Sequence, residues 1–252
     1  MIKKITIIGS GNVATRLSVA FKNVNIIIQQ LYCRNEINGK KLAKSVGTKY
    51  INNISNIEET DLIIICVNDD NIQSVVKKLP NTAMVHTSGN TSMKVFQNKQ
   101  QHGVLYPLQS LNKESDISFK SIPICIEANS SEFELYLITL SKKISNQIYI
   151  LNSIKRKQIH LAAVIASNFS NYCYLIAEDI LNKEHINPNI LQPLIEYTAQ
   201  KNAQKSPKLN QTGPARRNDH ATMEEHLSLL NNKNYKKIYK LLSQSIIEEY
   251  EK

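Results

Sequence analysis

Short apolar runs with little alternation mark the first 151 residues. Residues 4–8, 25–31, 61–67, 83–86, 103–105, 122–127 and 147–151 each read as a strand. Most are continuous, the pattern of strands covered on both faces of a parallel sheet. Between them, residues 13–21, 39–45, 71–79 and 132–143 carry apolar positions at helical spacing. This alternation predicts a doubly wound, mostly parallel α/β sheet.

After Leu151 the strand signals stop. Residues 154–183 read as one long helix, a second opens near Pro188, and two more span about 219–230 and 235–249. Pro188, Pro193, Pro207 and Pro214 punctuate the joints, as residues that start or stop helices do. Residues 1–152 therefore form an α/β domain and residues 153–252 an all-helical one. Residues 205–218 read as a long polar loop.

Composition narrows the possible partners. The net charge of +10 suggests a polyanion, but the cations are 26 Lys and 5 Arg, and planar phosphate or base recognition favours Arg. The excess reads as solvated lysine, which argues against a nucleic-acid surface. Cys33, Cys66, Cys125 and Cys173 lie too far apart in sequence to hold zinc or run a dithiol cycle, so buried, reduced thiols are expected. No continuous apolar run approaches the ~20 residues of a membrane span. The expectation is a soluble cytoplasmic protein.

Directly after the first strand comes Gly9-Ser10-Gly11-Asn12-Val13-Ala14, a GxGxxA turn that opens a helix. The first glycine permits a tight turn, the second lets backbone approach a pyrophosphate, and the small Ala14 allows close helix packing. The second strand leads into Arg34-Asn35, where an acidic residue would meet the ribose hydroxyls of NAD. Arginine there suits a 2′-phosphate, so NADP(H) is the expected cofactor. The strand before Val67, Asn68 and Asp69 brings these residues to the same sheet edge, with a plain helix cap as the alternative for Asp69. The next edge carries His86-Thr87-Ser88-Gly89-Asn90, whose Ser88 and following amides suit a substrate carbonyl or carboxylate.

The GSGNVA turn, DLIIICVNDD, HTSGN, Tyr106-Pro107-Leu108-Gln109, His160-Leu161-Ala162-Ala163-Val164 with Ser167-Asn168, and TGPARRND ahead of His226-Leu227 together resemble one family. It is the Rossmann-like proteins carrying a DUF2520 domain, relatives of pyrroline-5-carboxylate reductase, 3-hydroxyisobutyrate dehydrogenase and deazaflavin-dependent NADP reductase. The resemblance covers nearly the whole chain. It implies an NADP-binding domain followed by a helical domain of the 6-phosphogluconate dehydrogenase type, often used for dimerisation. By comparison with the hydroxyacid dehydrogenases, His160 is placed as a proton donor, with Ser88 and Asn168 beside it as catalytic candidates. His86, Gly89, Tyr106, Ser167 and Arg217 are the substrate-binding candidates. At 100° per residue, Ser167 falls within about 20° of His160 on the helix.

Two positions depart from the family pattern. Tyr106-Pro107 stands where a His-Pro pair is usual, and Asn218 replaces a loop glycine. The expected activity is hydride transfer between NADP(H) and a small carbonyl or imine. The alternative is a non-catalytic NADP(H) sensor, for which the missing histidine before Pro107 is the sequence support. His220 and His226 lack the spacing of a zinc helix, so no metal is assigned.

Overall fold

The computed structural model describes residues 2–97, 99–114 and 117–251. The chain separates into two compact units, Met1–Ser167 and Asn168–Lys252.

The first unit is built on one eight-stranded sheet. Its strands are β1 (Lys4–Ile8), β2 (Ile27–Tyr32), β3 (Lys49–Ile51), β4 (Leu62–Ile65), β5 (Met84–His86), β6 (His102–Pro107), β7 (Ile124–Ala128) and β8 (Ile148–Ile150). They lie in the order β3-β2-β1-β4-β5-β6-β7-β8. Every neighbouring pair is parallel except β6 and β7. Four helices connect them: α1 (Asn12–Lys22), α2 (Glu36–Val46), α3 (Asp69–Val76) and α4 (Ser131–Ile144). The order reverses between β1 and β4, which opens a crevice beyond the carboxyl ends of these strands.

The continuous runs have the cause inferred from sequence. All four residues of β4 are fully buried, but alternate ones feed different cores. Leu62 and Ile64 join Ile5 and Ile7 on one face, whereas Ile63 and Ile65 join Ile8 on the other. Each fully buried aliphatic side chain contributes about 1.5–3 kcal/mol relative to exposure. Local signals fix the helix ends: Asn35 caps α2 through Asn38 N, Ser130 caps α4, and Gly47 closes α2 in the left-handed region.

Helix α5 (Ser153–Ala163) begins three residues after the end of β8 and runs through a π-helical turn, Val164–Phe169, into α6 (Ser170–Lys183). Together they form a 31-residue helix with a mean hydropathy of 1.2 over its most apolar window. By length and composition alone this helix is sufficient to cross a membrane. Continuous-run counting missed it because polar residues interrupt the apolar ones.

The second unit continues with a 3₁₀ turn at Pro188–Leu191, then α7 (Gln192–Gln204), α8 (Pro207–Asn210), α9 (His220–Leu229) and α10 (Lys233–Tyr250). The segment expected to be one polar loop thus contains α8 and a further 3₁₀ turn, Ala215–Arg217. Ala215, Met223 and Ile247 form this unit's small core cluster, packed by Tyr239 and Ile246. The hydroxyl of Tyr235 donates to Asp179, and His226 Nδ1 lies 2.8 Å from the Tyr239 hydroxyl.

Candidate functional site

The crossover from β1 to α1 turns on Gly9. Gly9 has φ 122°, and a Cβ there would lie 2.2 Å from the Cys66 carbonyl oxygen. At Gly11 an added Cβ would meet nothing within 4 Å, so this backbone faces open space. Gly11 caps α1 with no side-chain hydrogen bond, and the first turn holds no acidic residue. The first amides of α1 are therefore free to face an anion, a position the helix dipole also favours.

A groove of about 430 Å³ runs over this turn. Of the residues expected from sequence, Gly9, Ser10, Gly11, Arg34, Asn35, Val67 and Asn68 line it. Asn12, Val13 and Asp69 do not lie on its wall. The side chain of Asn35 is committed as the α2 cap at 2.9 Å from Asn38 N, which leaves Arg34 as the exposed cation at this end. The nearest acidic residue in sequence, Glu36, is paired with Lys40 at 2.6 Å. Asn71, Ser74, Val75 and Lys78 also line the groove. Their spacing of three, four and seven residues is one helical face, a signal the sequence contained. An open, uncapped helix start with an arginine at the β2 end fits the pyrophosphate and 2′-phosphate of NADP(H).

Beyond β5 the geometry corrects two expectations. His86 was expected at the substrate, but it is fully buried and stacked on Phe96 at 5.5 Å between ring centres. Burial first, and the Arg156 charge second, pull its pKa down to about 3, so it is a neutral core histidine. Ser88 was expected to act on substrate, yet its hydroxyl donates to Asp69 at 2.8 Å and accepts from the amides of Asn90 and Thr91. It organises the turn after β5, and Asp69 serves that turn rather than the groove.

The Tyr106 hydroxyl of β6 lies 3.1 Å from Nδ1 of His160 on α5. Burial, as the largest cause, pushes the Tyr106 pKa up to about 12, so the phenol keeps its proton and can donate it to Nδ1. With Nδ1 accepting that bond, the imidazole has its N–H at Nε2. A Cβ on Gly89 would lie 2.7 Å from His160 Nδ1 and 2.8 Å from Tyr106 Cζ, so only glycine fits against this pair. Ser167 meets Ser110 with 2.8 Å between hydroxyl oxygens. The π-helical turn departs from the 100° spacing assumed for this helix, but Ser167 still reaches the segment that follows Tyr106.

Sequence reasoning missed Arg156. It is fully buried, pairs with Glu127 of β7 at 2.9 Å, and donates to the carbonyls of Ser88 and Gly89. Its signal was its position four residues before His160, one helical turn away.

Asn168 and Arg217 belong to the second unit. Arg217 is exposed on its 3₁₀ turn, and Asp219 caps α9 through Thr222 N at 3.1 Å. Asn218, which replaces a loop glycine, adopts φ 54°, a left-handed geometry that asparagine tolerates. The four cysteines are free; Cys33 and Cys125 are buried, whereas Cys66 is partly exposed and Cys173 is exposed rather than buried. Among the described residues no cluster of three or more His, Cys, Asp or Glu is arranged for a metal.

A mostly parallel sheet with an uncapped glycine crossover at its switch point, followed by an all-helical unit, defines a Rossmann-type protein with a helical extension. Residues 2–109 match the Rossmann-like domain, and residues 122–246 match DUF2520, a domain of unknown function. A protein of Bacteroides fragilis, provisionally named an NADP oxidoreductase, is 35% identical over 98% of both chains, with a TM-score of 0.92. The chain belongs to the family of Rossmann-like proteins that carry a DUF2520 domain.

More distant structures share the fold. A reductive aminase of Aspergillus terreus is 13% identical, with a TM-score of 0.73 over 99% of this chain and 95% of its own. A pyrroline-5-carboxylate reductase of Coxiella burnetii is 12% identical, with a TM-score of 0.56 over 100% and 98%. No curated protein matches the sequence.

Proposed function

We propose that this protein is an NADPH-dependent reductase that passes hydride to a small carbonyl or imine. The observation that carries the reading is the groove over the open Gly9–Gly11 crossover, with Arg34 and, among the described residues, no acidic side chain on its wall. The amides that open α1 would hold the pyrophosphate and Arg34 the 2′-phosphate. When bound, the cofactor supplies the hydride. His160 and Tyr106, hydrogen-bonded to each other, are the pair that would deliver the proton. The related protein of Bacteroides fragilis is named for NADP oxidoreduction, and the Aspergillus terreus aminase was determined with NADPH4, cyclohexanone and allyl amine and, separately, with NADPH and ethyl levulinate, which supports the cofactor and the substrate class.

The test is loss of NADPH absorbance across a panel of keto acids, cyclic imines and deazaflavins. Consumption with at least one member, abolished in His160→Ala, is expected; binding of NADPH without consumption by any member would favour the sensor alternative. We also propose that a second copy covers the exposed apolar residues Leu161, Ile165, Phe169 and Leu175 of the long helix. Sedimentation equilibrium should give twice the chain mass, and Phe169→Glu should return a monomer.

A further inference from the structure

The turn after β5 is held from one side by a buried cation. Arg156 has no exposed surface, and its Nη1 donates to the carbonyl oxygens of Ser88 and Gly89 at 2.9 and 3.0 Å. Its Nη2 donates to Glu127 Oε2 at 2.9 Å and Ser153 Oγ at 3.2 Å. The planar guanidinium is thus fixed by β7 and by its own helix, and it dictates where the two carbonyls point.

The peptide joining Ser88 and Gly89 is trans, so its C=O and N–H point in opposite directions. With the carbonyl on Arg156, the Gly89 N–H is turned away from it. Among the described residues that N–H has no acceptor, although Gly89 is buried. The amides on either side are satisfied: Ser88 N donates to His86 Nδ1, and Asn90 N donates to Ser88 Oγ. Buried donors are seldom left unpaired, because each forfeits its bonds to water. This one belongs to the residue packed against Tyr106 and His160, where a Cβ would collide with both.

We propose that the Gly89 N–H donates a hydrogen bond to a carbonyl oxygen of the bound ligand, and that Arg156 is the positioning residue that keeps this donor free and aimed. The inference rests on the reductase reading above. The same chemistry has two sources: the carboxamide of the nicotinamide ring or the carbonyl of the substrate.

Ser–Gly occurs twice in the sequence, as Ser10–Gly11 and Ser88–Gly89. Combining 13C-carbonyl serine with 15N glycine therefore selects two amide signals in the full chain, one at the phosphate turn and one at the proposed donor. Adenosine 2′,5′-bisphosphate, which has no nicotinamide, should move Gly11 and leave Gly89 in place. NADP+ should then move Gly89 downfield if the carboxamide is the acceptor. If the substrate carbonyl is the acceptor, Gly89 should move only when cyclohexanone is added to the NADP+ complex.

In Arg156→Lys and Arg156→Gln the Gly89 response should be lost while the Gly11 response persists, which shows that fold and phosphate site survive. Glu127→Gln provides the same readout if neither arginine variant folds. A Gly89 signal that ignores both NADP+ and cyclohexanone while Gly11 moves overturns this proposal and leaves the cofactor reading standing. A full Gly89 response in Arg156→Gln overturns the role of Arg156. A Gly11 signal unmoved by NADP+ rejects the cofactor reading, and this proposal with it.

Discussion

The two units of this chain treat their apolar residues differently. In Met1–Ser167 the sheet strands β1 and β4 are closed on both faces, and Ile5, Ile7, Ile8 and Leu62 through Ile65 have no exposed surface. In Asn168–Lys252 the buried hydrophobic residues among those described are Ala215, Met223, Leu230 and Ile247, while Ile190, Leu194, Leu209, Leu229 and Leu241 are exposed. A parallel sheet must be covered on both faces to exist, so its crossovers complete the core within one chain. A set of amphipathic helices can instead leave a stripe open and bury it elsewhere.

The largest effect separating the units should be a core truncation. Ile64→Ala should cost about 2–5 kcal/mol in urea unfolding, whereas Leu241→Ala should stay within about 0.5 kcal/mol, as for an exposed position. Similar losses at the two sites would erase the contrast.

A second effect, comparable at its upper bound, should follow pH and arise from a residue of the first unit. His86 titrates near 3 when folded and near its ordinary value of 6.5 when unfolded. Between those values the unfolded chain binds a proton that the folded chain does not, so stability rises with pH across the window. Unfolding free energy should therefore be highest above about pH 6.5 and fall towards about pH 3, by at most about 1.4 kcal/mol per pH unit from this residue. His86→Phe, which keeps a ring on Phe96, should remove that component; an unchanged profile would show that His86 is not its source.

The smallest effect should appear in the helical unit. Asp219 is held below the usual carboxylate range chiefly by the Thr222 hydroxyl and amide. Its contribution is present above its unfolded pKa and lost as pH falls through the lower folded value. Asp219→Ala should therefore loosen α9 slightly at neutral pH, read as faster amide exchange of Thr222, and make no difference in acid.

How much of this was legible in the sequence differs by unit and by residue. The continuous apolar strands and the GxGxxA turn were readable because buried parallel strands and phosphate turns leave local signatures. Strand β3 was not, because three residues that include Lys49 and Tyr50 carry no run at all. His86 was misread because a strand edge says where a residue lies but not which way its ring turns. Arg156 was missed because its meaning depends on a turn 68 residues earlier in the chain. The open faces of the helical unit were invisible for the same reason: periodicity finds an apolar stripe without naming what covers it.

The most direct test of the central claim is titration of NADPH and NADH into the intact protein and its Arg34→Ala variant, followed by cofactor fluorescence. If Arg34 meets the 2′-phosphate, the variant should bind NADPH roughly 10–100-fold more weakly, as expected for losing a charge-assisted contact, and NADH almost unchanged. Equal losses for the two cofactors, or none for either, would contradict the assignment of this groove as an NADP(H) site.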